Sequence, residues 1–197
     1  MTDVAVPGAR DVRATLDGEE AESIVVACPP HPRQRGHRGD PRLTAVGGAL
    51  SDEGVACLRF DYGEWDEGYG EREDARNAIR WTAERYDRVG VFGYSFGAAV
   101  ALLAAASVEE PLGGVSVLAP AASLGDGDLD AAGAVAELDA PLQVLYGARD
   151  TTVDWRPVVE AAREAGARVE ELPADHFFLG KHDRIAASVA EFFAERF

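Results

Sequence analysis

Short apolar runs alternate along this chain with longer segments in which apolar residues recur at helical spacing. The predicted β-strands are SIVVAC (23–28), VACLRFD (55–61), RVGVFG (88–93), GGVSVLAP (113–120), PLQVLYG (141–147) and ARVEELP (167–173). The predicted helices are RLTAVGGALSDEG (42–54), EREDARNAIRWTAERY (71–86), FGAAVALLAAASV (96–108), WRPVVEAAREAG (155–166) and DRIAASVAEFFAERF (183–197). The chain therefore alternates strand and helix.

Most of these strands are continuously apolar, so both faces of the sheet are expected to be covered. Such strands, alternating with helices, predict an α/β fold: a doubly wound, mostly parallel sheet with helices on both faces. The early segment VRATLD (12–17) is interpreted as a strand at an antiparallel edge of that sheet. In such a sheet, functional groups gather beyond the carboxyl ends of the strands.

The length of the chain and one acidic connection bear on domain organisation. With 197 residues and a mass of 20.9 kDa, we expect a single domain over residues 1–197. The segment between Ala119 and Ala140 is short and acidic, which makes it too small for a separate lid domain.

The charge balance narrows the choice of partners. Acidic residues number 35 against 19 basic ones, the formal net charge is -16, and Lys181 is the only lysine. Such a surface repels phosphate backbones and anionic membranes, so neither nucleic acid nor membrane is an expected partner. Because high salt screens self-repulsion, the composition favours the salt-rich cytoplasm of a halophilic organism; an ordinary acidic protein is the alternative.

The N-terminal residues and the cysteines indicate the compartment. The first residues are acidic where a signal peptide would be basic and then apolar, and no apolar run reaches the ~18 residues of a membrane span. Cys28 and Cys57 each lie in an apolar run, as expected of buried, reduced thiols; a disulfide or metal pair is the less favoured interpretation. These features predict a soluble cytoplasmic protein.

The stretch GYSFG (93–97) places Ser95 between two glycines where a predicted strand meets a predicted helix. This G-x-S-x-G pattern is typical of a nucleophile elbow, in which a strained turn exposes the serine hydroxyl. The glycines are needed because side chains there would collide with the adjoining strand and helix. A glycine-softened junction without chemistry is the alternative.

A nucleophilic serine needs a base and a carboxylate that orients it. Asp150 follows a predicted strand in GARD and is the preferred acid, with Asp154 and Asp175 as further candidates and a turn or cap role as its alternative. His176 follows the last predicted strand and is the preferred base, whereas His182 begins the last helix and is expected to face water.

Backbone amides are expected to stabilise the oxyanion of an acyl-transfer reaction. Phe96 N–H, at the start of a helix, is one predicted donor. The second should come from the loop PPHPRQRGHRGD, where the prolines cannot donate; this leaves His31, Arg33 or a neighbour, with Arg33 preferred. His31 is otherwise expected to hold the loop through its side chain.

The acidic segment EWDEGYGERED (64–74) raises the question of a metal site. Its carboxylates lack the alternating spacing of an EF-hand loop, so no metal is predicted there. The segment is interpreted as a solvated loop that runs into a helix with an acidic first turn.

These motifs together resemble the α/β-hydrolase superfamily, and within it the small lidless group related to dienelactone hydrolases. The resemblance runs from about Ser23 to the C-terminus and rests on HP after the first buried strand, LRFDYGEWDEGYGEREDARNAIRW, GYSFGAAVA, GARD and ADHFFLGK. It implies Ser95 as nucleophile, Asp150 as acid and His176 as base. The chain departs from the group in having PPHP where HPHP is common, and it lacks the nucleophilic cysteine of dienelactone hydrolase.

The expected function is therefore hydrolysis of a small carboxylic ester, or a related acyl substrate, through an acyl-enzyme. It requires no metal and no organic cofactor. An acyltransferase or peptidase with the same triad, or a non-catalytic binding protein that retains the fold, are the alternatives. A homodimer is left open, and the sequence does not identify the substrate.

Overall fold

Eight strands form one sheet in the computed structural model, which describes residues 1–8, 10 and 12–197. The strands are β1 (Thr2–Val6), β2 (Val12–Asp17), β3 (Ser23–Cys28), β4 (Ala56–Phe60), β5 (Arg88–Tyr94), β6 (Gly114–Leu118), β9 (Leu142–Gly147) and β10 (Arg168–Leu172). Their spatial order is β1-β2-β4-β3-β5-β6-β9-β10. From β4 to β10 all neighbours are parallel, whereas β2 is antiparallel to both β1 and β4.

Five helices cover the two faces of this sheet. They are α1 (Pro41–Asp52), α2 (Tyr69–Ala83), α3 (Phe96–Ala105), α4 (Arg156–Glu164) and α5 (His182–Ala194). Helices α1 and α5 pack on one face, and α2, α3 and α4 pack on the other. Every residue of β3, β4, β6 and β9 is buried, which explains why these strands are mostly apolar in the sequence. The polar exceptions, one in each strand, are Ser23, Arg59, Ser116 and Gln143. The expected α/β fold class is confirmed.

The antiparallel side of the sheet differs from the expectation. VRATLD forms β2 and is antiparallel, but it lies between β1 and β4 and is not the edge. The edge is β1, whose five residues were not predicted as a strand. A strand this short and largely exposed carries little apolar signal, so its pairing with β2 was not visible in the pattern.

The connection from β6 to β9 is short and folds locally. It contains the two-residue strands β7 (Ser123–Leu124) and β8 (Leu129–Asp130), which pair with each other, and 3-10 turns at Gly125–Gly127 and Gly133–Glu137. Within the described residues no lid domain covers the carboxyl edge of the sheet. Among the helices of the described residues, none is both long enough and apolar enough to cross a membrane.

Candidate active site

Ser95 lies at the tip of a sharp turn between β5 and α3. Its backbone has φ 58° and ψ -119°, a conformation that a residue with a side chain adopts only under strain. Such strain costs on the order of 1–3 kcal/mol and persists where the surrounding structure imposes it, most often at functional sites. Ser95 N–H donates to Leu118 O at 2.8 Å, which extends the β5–β6 pairing up to the turn.

The two glycines of the motif are required by close backbone packing. A Cβ atom on Gly93 would lie 2.2 Å from the carbonyl oxygen of Gly97. A Cβ atom on Gly97 would lie 2.3 Å from the carbonyl oxygens of both Cys28 and Pro29. Since backbone atoms cannot move aside cheaply, only glycine fits at either position, as expected for a nucleophile elbow.

The side chains of Ser95, His176 and Asp150 form one chain of hydrogen bonds. Ser95 Oγ lies 2.8 Å from His176 Nε2, and His176 Nδ1 lies 2.7 Å from Asp150 Oδ2. An ionised carboxylate can only accept, so Nδ1 carries the ring proton and donates a hydrogen bond to Asp150 Oδ2. The Nε2 lone pair is then free to accept the hydrogen bond from the serine hydroxyl. The structure thus brings together three residues that are distant in the sequence.

Asp150 is held rigidly at the end of β9. Its side chain is fully buried, Oδ1 accepts from Thr152 N–H at 2.8 Å, and its backbone carbonyl accepts from Trp155 Nε1–H at 3.2 Å. The turn role considered as an alternative is therefore real, but it uses only one carboxylate oxygen. The other is left for His176.

The remaining acid and base candidates lie outside this arrangement. Asp154 and Asp175 are exposed, and Asp175 Oδ1 accepts from Phe177 N–H at 3.0 Å. His182 is half-buried at the start of α5, so the expectation that it faces water holds only in part.

A clamp that the sequence analysis missed holds the loop around His176. Tyr94 is buried, and its Oη donates to His176 O at 2.9 Å. Arg42 lies over the Tyr94 ring at 4.4 Å, and its Nη1 donates to Phe177 O at 3.3 Å. Asp40 in turn accepts a hydrogen bond of 2.8 Å from Arg42 Nε–H, and it is the N-cap residue of α1. Burial raises the pKa of Tyr94 to about 12, so its hydroxyl stays a donor at neutral pH.

The predicted oxyanion donors belong to two segments, the start of α3 and the turn after β3. Phe96 is the first residue of α3, where a backbone N–H has no partner within the helix. Arg33 N–H donates to His31 Nδ1 at 3.2 Å and is therefore engaged in a local turn. Across the described part of the chain, no hydrogen bond uses the backbone N–H of His31. The expected loop-holding role of the His31 side chain is confirmed by that same bond.

Two buried carboxylates organise the acidic loop before α2, and here the expectation of a solvated segment is partly wrong. Glu71 accepts from Asp66 N–H at 2.9 Å and from Gly68 N–H at 2.8 Å, while Asp74 accepts from Gly63 N–H at 2.9 Å. Both side chains are fully buried. Helix α2 begins at Tyr69, before the predicted start, because Glu71 caps its first turn.

Cys28 and Cys57 are free and buried, and burial raises the pKa of both thiols, that of Cys57 to about 12. Among residues that the structure describes, no group of three or more His, Cys, Asp or Glu side chains is placed to hold a metal ion.

Comparison with known proteins identifies the family. The model of the X-Pro dipeptidyl-peptidase (S15 family) matches residues 59–190, well over half of the chain. The chain belongs to this family. The resemblance to α/β-hydrolases noted in the sequence is thereby confirmed, and the stretch matched to the S15 family includes Ser95, Asp150 and His176. No curated protein sequence matches the chain.

Solved structures share the fold of this S15-family chain at low sequence identity. An α/β serine hydrolase homologue from Coxiella burnetii has a TM-score of 0.79 and 23% identity, covering 96% of each chain. XC6422 from Xanthomonas campestris, an α/β serine hydrolase without a lid, has a TM-score of 0.77 and 23% identity, covering 98% of this chain and 94% of that one. Est1E from Butyrivibrio proteoclasticus, solved with ferulic acid bound, has a TM-score of 0.85 and 16% identity, covering 98% of each. All three share the overall fold of this chain.

Proposed function

We propose that this chain is a serine hydrolase that cleaves small carboxylic esters through Ser95, His176 and Asp150. The observation that carries the proposal is the continuous hydrogen-bond chain of 2.8 Å and 2.7 Å from the strained serine to a buried carboxylate. A structural serine would need neither the strain nor an aligned imidazole. Each distance lies within the reach required for proton transfer in this type of catalysis.

The reaction begins with attack of Ser95 Oγ on the substrate carbonyl carbon. His176 Nε2 removes the hydroxyl proton as the oxygen–carbon bond forms, and Asp150 stabilises the resulting imidazolium. His176 then gives this proton to the leaving alcohol oxygen as the ester bond breaks, leaving an acyl-serine. Water, activated by the same nitrogen, hydrolyses the acyl-serine and restores the hydroxyl.

The negative charge on the tetrahedral oxygen requires two amide donors. Phe96 N–H serves as the first, where the positive end of the α3 dipole also favours the anion. For the second, the backbone N–H of His31, which has no acceptor among the described residues, is favoured over that of Arg33, which already donates to the His31 ring. Arg33 would have to give up that hydrogen bond to contribute.

The ester preference is supported by the open site. The segment between β6 and β9 is too short to enclose a long acyl chain, and Est1E and an esterase from Pyrococcus furiosus share the fold. In such an open site a long acyl chain would stay exposed to water, whereas a compact acyl group leaves little of its apolar surface uncovered.

Labelling with a fluorophosphonate probe tests the nucleophile directly. We expect the wild-type protein to be labelled and to hydrolyse 4-nitrophenyl acetate, and Ser95→Ala to do neither. Ser116→Ala is the matched control, because Ser116 is buried in β6 and bonds Gln143 at 2.8 Å, away from the triad. Equal labelling of wild type and Ser95→Ala, or none in folded wild type at low and molar KCl, would refute the proposal.

Peptide hydrolysis is a second candidate because the matching family model is that of X-Pro dipeptidyl-peptidase. The same triad cleaves amides when the site binds the peptide and protonates its amine. An X-Pro 4-nitroanilide compared with 4-nitrophenyl acetate separates the two activities: a higher kcat/KM for the anilide would assign the chain as a peptidase. Added alcohols that compete with water for the acyl-enzyme would instead indicate an acyltransferase.

A further inference from the structure

A small aromatic cavity adjoins the turn that carries Ser95. It has a volume of about 270 Å³ and is lined by His31, Arg33, Trp65, Glu67, Phe96, Leu124, Gly125 and Asp126. Ligand pockets commonly range from about 300 to 1,000 Å³, so this one suits a compact group and not a long chain. It opens between the loop after β3, the loop before α2 and the β7–β8 segment.

Three rings form the wall of this cavity. The rings of His31 and Trp65 are stacked with centroids 4.5 Å apart, and Phe96 lies 4.9 Å from His31 and 5.6 Å from Trp65. Burial lowers the pKa of His31, which favours a neutral ring in this cluster. Aromatic rings stack favourably on such surfaces, and the contact is worth more than burial of area alone.

Hydrogen bonds hold the loop that carries Trp65 on both sides of the indole. Trp65 lies in the loop that Glu71 and Asp74 hold through backbone N–H groups on both sides of it, at Gly63, Asp66 and Gly68. Arg10 Nε in turn binds Asp74 at 3.0 Å. These buried bonds have no role in the triad, and their effect is to fix the position of the indole. A preorganised platform costs little entropy when a ligand binds.

The position of the cavity relative to the triad assigns it to one side of the substrate. Four groups surround the carbon of the tetrahedral intermediate: Ser95 Oγ, the oxyanion, the leaving oxygen and the acyl chain. The leaving oxygen must lie at His176, which protonates it, and the oxyanion at Phe96 N–H. The described lining of the cavity includes Phe96, which directly follows Ser95, but neither Ser95 itself nor any residue of the His176 loop. Because the leaving oxygen lies at His176, the cavity is open to the acyl chain.

Charged residues at the rim of the cavity further restrict the kind of acyl group that it can bind. Glu67 and Asp126 are exposed at the mouth, and Arg33 is the only cation among the described lining residues. The protein as a whole carries a formal charge of -16, so an acyl group with its own carboxylate would be repelled. An uncharged ring has no such cost and gains the stacking surface.

We infer that this cavity binds the acyl part of the substrate and that Trp65 selects an uncharged aromatic acyl group, of the benzoyl or phenylacetyl type. This inference rests on the proposed serine hydrolase function and adds the substrate class. Trp65 acts by contact with the acyl ring and takes no part in proton transfer.

The test compares kcat/KM for 4-nitrophenyl benzoate and 4-nitrophenyl acetate in the wild type and in Trp65→Ala. The benzoate-to-acetate ratio should fall about tenfold in Trp65→Ala, equivalent to about 1.4 kcal/mol, and should stay within about threefold of wild type in Trp65→Phe, which keeps a ring. Trp81→Ala is the matched control, because Trp81 lies on α2 against Arg85 and outside the cavity; its ratio should equal that of the wild type. A ratio within one variant is unaffected by the fraction of enzyme that folds.

Two results would overturn the inference. The first is a benzoate-to-acetate ratio that Trp65→Ala leaves unchanged. In the second, Trp65→Ala changes the ratio of kcat/KM for benzyl acetate to that for ethyl acetate and leaves the benzoate-to-acetate ratio unchanged. That result would assign the cavity to the alcohol part of the substrate. Either result leaves hydrolysis by Ser95 intact, whereas loss of all ester hydrolysis and of fluorophosphonate labelling in folded wild type would instead refute the proposed function.

Discussion

Removing the hydroxyl of Tyr94 tests whether the clamp on the His176 loop positions the base. Tyr94→Phe deletes one hydrogen bond, the 2.9 Å contact from Oη to His176 O, and retains the ring on which Arg42 stacks. Both partners are almost fully buried, with exposed fractions of 2% for Tyr94 and 6% for His176. The deletion therefore leaves a buried carbonyl without its donor.

The magnitude follows from that burial. An unsatisfied buried acceptor costs about 1–3 kcal/mol, so we expect a free energy of unfolding lower by about 2 kcal/mol. For a chain of this size the corresponding fall in Tm is roughly 4–8 °C. A loop freed by even part of an ångström also misplaces His176 Nε2, and errors of about 1 Å can cost roughly a hundredfold in rate. We expect kcat to fall about ten- to a hundredfold.

The assay separates positioning from simple loss of stability. KM for 4-nitrophenyl acetate should stay near the wild-type value while kcat falls, because the substrate-binding surface is unchanged. Arg42→Ala should show the same split, and Arg42→Lys should recover part of kcat since it restores a cation near Phe177 O. Ser116→Ala also loses a buried hydroxyl hydrogen bond and should lose stability with kcat unchanged. If Tyr94→Phe behaves like Ser116→Ala, the clamp does not position the base.

Three further predictions concern the acid, the elbow and the surface charge. Asp150→Asn should lower kcat by roughly 10⁴-fold because the amide no longer favours the required His176 tautomer. Asp154→Asn, at an exposed position, should keep the wild-type kcat. Equal losses of kcat in the two variants would contradict the assignment of Asp150 as the orienting acid. Gly97→Ala should unfold or strongly destabilise the protein, since its Cβ would meet two carbonyl oxygens at 2.3 Å. Gly48 is an exposed position of α1 where an added Cβ meets nothing within 4 Å. Gly48→Ala should therefore raise the free energy of unfolding, measured in urea, by about 1 kcal/mol. If the formal charge of -16 is balanced by salt in the cell, Tm should rise between low and molar KCl as the Debye length falls to about 3 Å, and a Tm independent of salt would count against it.

Much of the fold follows from local sequence patterns. The runs that became β3, β4, β6 and β9 are mostly apolar because both faces of each strand are covered. Burial of a whole strand favours apolar residue types at most of its positions, so the strand can be recognised from its own sequence. The exposed edge strand β1 carries no such signal, and it was missed for that reason.

The site was only partly accessible to the same reasoning. Ser95 could be singled out because the glycines at 93 and 97 are a local requirement of the turn. Glu71 looked like one more solvated carboxylate, since in the sequence nothing separates it from its exposed neighbour Glu67. Its burial depends on how the loop before α2 folds back onto it.

The sequence by itself determined the order of the five helices and of the strands in the parallel part of the sheet, the turn at Ser95, and a short set of acids and bases after later strands. Only the tertiary structure decided which of them meet: Ser95 and His176 are 81 positions apart, and Tyr94 and His176 are 82 positions apart. Periodicity and turn chemistry are encoded between neighbours along the chain. A hydrogen bond between distant segments depends instead on the register and packing of the whole sheet, which no single segment records.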